Sequence, residues 1–112
     1  MHSNQITPGE VARLPLGAAL TESSTAKLLK TPRFELIRLV LPRNKEIAPH
    51  KTRGEITVHC LEGVVEFTCN EKPHELRPGT LLYLEAGQLH ALKALEDSTL
   101  LVTHIFDHSG KP

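Results

Sequence analysis

From Phe34 to Phe106 the chain is a succession of short runs rich in Val, Ile, Leu and Thr, each closed by Gly, Pro or a polar turn. That punctuation constrains the fold more than any other feature. FELIRLVL is stopped by Pro42, EITVHCL (55–61) by Glu62-Gly63, VVEFTC (64–69) by the polar turn NEKP (70–73), and GTLLYLE (79–85) by Ala86-Gly87. STLLVTHIF (98–106) is the last long run, while HALKAL (90–95) alternates less clearly. Strand-like runs spaced by about 8–12 residues, without amphipathic helical periodicity, predict an all-β sandwich or barrel. Strand side chains alternate faces, so Phe34, Leu36, Arg38 and Val40 share one side of the first run, and Glu35, Ile37, Leu39 and Leu41 the other.

The segment before Phe34 is weakly patterned. Thr7-Pro8-Gly9 is turn chemistry, and Pro15 and Gly17 exclude a long helix between Val11 and Leu20. Thr25 to Lys30 fits either a helical turn or an early strand. Residues 1–33 are therefore read as an N-terminal strand or arm, and 34–112 as the barrel of the same domain. The 112 residues suffice for one core and not for two.

Two segments carry a more specific pattern. NKEIAPHKTRGEITVHCLEG (44–63) resembles the first cupin motif, in which an opening glycine precedes two closely spaced histidines, a glutamate and a closing glycine. GTLLYLEAGQLHALKA (79–94) resembles the second motif, built on glycine, proline, glycine, histidine and asparagine. A linker of 15 residues joins them. The resemblance implies a double-stranded β-helix, the jelly-roll cupin barrel. His50 matches the first histidine, whereas Thr52 holds the place of the second. Ile56 stands where the family has its glutamate, with Glu55 one position away. Gly79, Gly87 and His90 match the second motif; Glu85 replaces the proline and Ala94 the asparagine. Asn44 stands for the opening glycine, a mild change because Asn tolerates the left-handed backbone region.

The resemblance thus leaves His50 and His90 as imidazole donors, suited to a divalent transition metal such as Zn, Fe, Ni or Cu. His104, on the same face as Leu100, Val102 and Phe106, is a third candidate, and water could complete a site of His50, His90 and His104. Plainer readings stand beside this one. His50 could cap a strand end, and His104 could be a core histidine bonded to a carbonyl. Thr52, Ile56, Val58 and Tyr83 are expected around a ligand pocket, Tyr83 at its mouth. His59 shares a face with Thr57 and Glu55 and should point away. Bringing Glu55 inward would take a β-bulge at Gly54. Glu85 lies near His90 across a short turn, where it would either orient the imidazole or make a solvated loop contact. Cys60 reads as a small buried hydrophobe.

Lys plus Arg and Asp plus Glu number 13 each, giving zero formal net charge. A nucleic-acid partner would call for a basic surface, and no apolar run approaches the roughly 20 residues that span a bilayer. The N-terminus has no basic start followed by an apolar stretch, so no secretory signal is expected. Cys60 and Cys69 lie in strand-like runs and are expected as reduced thiols, with the cytoplasm as location. Three functions are weighed: a barrel that binds a small-molecule ligand, a metal-dependent dioxygenase or isomerase built on His50 and His90, and a structural barrel filled by its own side chains. The resemblance further implies a homodimer.

Overall fold

The computed structural model describes residues 6–14 and 25–106, which contain strands and no helix. Nine strands run in order: β1 Ala26–Lys30, β2 Phe34–Leu41, β3 Glu46–His50, β4 Glu55–Glu62, β5 Val65–Cys69, β6 Lys72–Leu76, β7 Leu81–Leu84, β8 His90–Ala94 and β9 Ser98–Ile105. They form two sheets, β1-β2-β9-β4-β7 and β3-β8-β5-β6, with antiparallel pairing throughout. The runs of alternating residues predict an all-β sandwich or barrel, and the two sheets form the jelly-roll barrel that the motif resemblance implies.

Three details differ from the sequence reading or complete it. Thr25 to Lys30 resolves as a strand, β1, along β2. NEKP (70–73) is only half a turn: Asn70 and Glu71 have φ of 54° and 63°, and Lys72 already pairs with Cys69. Two central residues at positive φ between paired strands make the tight hairpin whose twist matches the sheet. β3 and β6 are strands that the apolar runs do not mark, and each carries a proline, Pro49 and Pro73. Both lie at the edges of their sheet, where a missing N–H leaves no ladder bond unmade.

The core lies between the sheets. Leu41, Val58, Cys60, Val65, Phe67 and Leu100 are buried almost completely, and they come from four different strands of the two sheets. Cys60 and Cys69 are both free thiols. Burial pushes the Cys60 thiol up, away from its reactive thiolate form. Where β4 leaves for β5, Gly63 (φ 87°) passes so close to the start of β9 that a Cβ there would lie 2.2 Å from Ser98 Oγ. The buried Ser98 hydroxyl donates to the Glu96 carbonyl at 2.7 Å, and Thr99 Oγ1 donates to Glu62 Oε2 at 2.7 Å. Neither buried hydroxyl is thus left without a partner.

Candidate functional site

The inward faces of β2, β4 and β9 meet those of β3, β5 and β8 around a cavity of about 290 Å³. Its wall is mostly apolar, with Ile37, Leu39, Ile47, Ile56, Val58, Phe67, Leu92, Leu100 and Val102. Strand alternation explains the choice: on β4 the even-numbered residues Ile56 and Val58 face in, and on β9 Leu100, Val102 and His104 do. The polar groups of the wall are Glu35, His50, Thr52, His90 and His104.

His50 and His90 are register partners across β3 and β8, with ring centroids 4.2 Å apart. His90 also stacks on Phe67 at 5.5 Å. His50 Nδ1 lies 3.0 Å from the Ala48 carbonyl, and His90 Nδ1 lies 2.9 Å from that of Gln88. A carbonyl only accepts, so in each ring Nδ1 carries the proton and donates it. The Nε2 atoms remain for other partners. Burial, aided by the charge of His50, holds His90 below the usual imidazole range, against the upward pull of its bond to Gln88.

His104 is held differently. It pairs in register with Glu35 across β9 and β2, and its Nδ1 lies 3.2 Å from Glu35 Oε2. The other carboxylate oxygen of Glu35 meets Lys27 Nζ on β1 at 3.2 Å. Burial pushes the Glu35 carboxyl up, but the hydrogen bonds and charges of His104 and Lys27 outweigh it, and the group ends below its ordinary range. His104 Nε2 is buried with no hydrogen-bond partner.

Of the residues expected at the site, His50, His90, His104, Thr52, Ile56 and Val58 all line this cavity. Tyr83 does not. It pairs with Thr57 on the outer face of the five-stranded sheet, is 54% exposed, and donates its hydroxyl to Glu55. The correction follows from strand parity: Leu82 and Leu84 pair with the inward-facing Val58 and Ile56, so Tyr83 between them must face out. The same parity keeps Glu55 outside. The irregularity in β4 falls between Cys60 and Glu62, too far along to turn Glu55 inward. Glu85 is exposed, and its backbone N–H donates to Gln88 Oε1; it is the Gln88 carbonyl that holds His90.

The donor set does not fit a metal centre made of three protein ligands. The Thr52 hydroxyl donates to the Gly54 carbonyl, Ile56 offers no donor, and Glu55 faces away. Among the described residues, no group of three or more His, Cys, Asp or Glu side chains could hold a metal ion. His50 and His90 form a pair, and His104 belongs to a separate group with Glu35. Glu35 is the residue sequence reasoning missed. Its signal was present: a lone carboxylate on the face that otherwise carries Ile37, Leu39 and Leu41.

The family model described as Cupin domain matches residues 37–106. No curated protein matches the chain by sequence. Among solved structures, the chain is similar to a conserved protein of unknown function from Streptococcus pyogenes, at 22% identity, TM-score 0.75, and coverage of 95% of this chain and 94% of that one. It is also similar to a cupin superfamily protein from Desulfitobacterium hafniense, at 16% identity, TM-score 0.76, and coverage of 94% and 97%. KdgF from Halomonas sp. is similar at 19% identity and TM-score 0.69, over 75% of this chain and 78% of that one. At these identities the likeness concerns the fold.

Proposed function

Since the chain belongs to the Cupin domain family, whose model spans more than half of it, we propose that it is a barrel that binds one small, largely apolar molecule between its sheets. The cavity of about 290 Å³ carries this reading. It sits at the lower end of the ~300–1,000 Å³ usual for ligand sites and has the usual make-up, an apolar wall with a few polar groups. A barrel serving only as structure would be filled by its own side chains. A metal-dependent dioxygenase or isomerase would draw on the His50–His90 pair, which lacks a third protein donor beside it. Free thiols are consistent with a cytoplasmic home. Exposed Leu81, Tyr83 and Ile105, on the strands β7 and β9 that flank β4 in the five-stranded sheet, favour a homodimer.

Naphthalene is a suitable first probe, because its size suits the cavity and it needs no polar contact. Saturating naphthalene should raise the thermal midpoint of the wild type, since anything that binds only the folded state stabilises it. Val102→Phe places a ring in the cavity wall and should abolish that increase while leaving the free protein folded. An unchanged midpoint for the wild type, or an equal increase in the variant, would remove the cavity reading.

A further inference from the structure

The motif residues His50 and His90 do not account for the polar group contributed by β2 and β9. His104 Nδ1 faces the Glu35 carboxylate at 3.2 Å. A carboxylate only accepts, so the Nδ1 proton is committed to Glu35 and the ring orientation is fixed. Nε2 then remains, buried at the cavity wall and without a hydrogen-bond partner. Buried polar atoms are nearly always paired, and one left unpaired points to a missing partner.

The tautomer fixed by Glu35 points to the missing partner. Lys27 already balances Glu35 through its 3.2 Å contact. With a neutral imidazole, the Lys27–Glu35–His104 group carries no net charge. In that neutral form, with the Nδ1 proton hydrogen-bonded to Glu35, Nε2 is a lone-pair acceptor in need of a donor, set among Ile37, Leu39 and Val102. An apolar ligand with no donor would leave it unpaired, and a carboxylate would meet it lone pair to lone pair.

We propose that the Glu35–His104 pair is a hydrogen-bond acceptor that selects uncharged, hydroxyl-bearing ligands, an alcohol or phenol on an otherwise apolar body. This rests on the cavity being a ligand site, and it names the class of ligand that site prefers. Glu35 is a positioning residue here, and the contact itself is made by His104.

2-Naphthol and naphthalene differ only by the hydroxyl, so their affinities, measured by calorimetry on the full chain, isolate its effect. The wild type should bind 2-naphthol about tenfold more tightly than naphthalene, the gain of one buried hydrogen bond. His104→Phe keeps a ring of similar size without the acceptor and should bring the two affinities together. Equal affinities in the wild type would overturn the proposal while leaving the cavity reading intact. Binding of neither compound would remove both. A preference for 2-naphthol that survives in His104→Phe would overturn it too, since the acceptor would then lie elsewhere. Should the variant fail to fold, the wild type supplies an independent readout in the nitrogen-15 resonance of His104 Nε2. That resonance should move with 2-naphthol by more than with naphthalene, and equal or absent movement overturns the proposal.

Discussion

His90 has its protonation set by burial, by its neighbour His50 and by the Gln88 carbonyl, with a net shift below the ordinary value of 6.5. The sign of its effect on stability follows. As pH falls, the unfolded chain takes up this proton first, so stability declines from about pH 6.5 down to the lower folded value. Glu35, whose carboxyl is also lowered, extends the decline: its contribution is present above the unfolded carboxylate value and is lost as pH falls through the folded one. Urea midpoints should therefore drop between pH 7.5 and 5.5, and His90→Phe should flatten that drop. Thr52 yields a second prediction, since it lines the cavity with its hydroxyl turned to Gly54. Thr52→His would place a third imidazole on the wall that holds His50 and His90, and should raise Zn²⁺ affinity by about tenfold or more in calorimetry. An unchanged affinity would mean that the pair cannot be extended into a metal centre. Much of the cavity wall was legible at this scale, because the motif match places Ile56 inside, parity adds Val58, and parity groups His104 with the apolar Leu100 and Val102. Glu35 was not. Alternation assigned it a face, but only the register between β2 and β9 shows that His104 stands across from it.

At the scale of elements, the runs that became β2, β4, β5, β7, β8 and β9 were legible from their apolar character and the turns between them. β3 and β6 are not marked by the apolar runs. The proline each carries is harmless at a sheet edge, and which strands are edges is a property of the assembled fold. Turn chemistry was likewise legible only in part. Asn44 does adopt positive φ, at 74°, as its substitution for glycine suggested, whereas the close approach of Gly63 to β9 has no local signature. Gly63 and Gly79 therefore separate two kinds of requirement. Both have positive φ, at 87° and 90°, yet a Cβ at Gly79 would meet nothing within 4 Å, while one at Gly63 would lie 2.3 Å from the Asp97 carbonyl oxygen. Gly79→Ala should cost about 1 kcal/mol, the strain of the left-handed backbone. Gly63→Ala should cost upwards of about 3 kcal/mol, because backbone must also move. Urea denaturation of the two variants side by side checks the contrast.

For the molecule as a whole, the outer face of the five-stranded sheet presents Leu81 at 67% exposure, with Tyr83 and Ile105 on the same sheet. Burying such residues against a second copy is the expected route to a homodimer. Light scattering across a dilution series should give twice the chain mass, and Leu81→Lys should shift the equilibrium toward monomer; a monomer at every concentration would rule the dimer out. The position of β9 has a consequence of a different kind. The last strand of the described chain lies at the centre of its sheet, between β2 and β4, and contacts both along nearly their whole length. A ribosome delivers residues in order, so β2 and β4 must leave the exit tunnel and wait with open edges until Ile105 follows. Until then the five-stranded sheet cannot close, and the unfinished chain offers those edges to any neighbour. A chain interrupted before β9 has emerged would lack the strand that joins β2 to β4, and would be a natural client for chaperones and proteases.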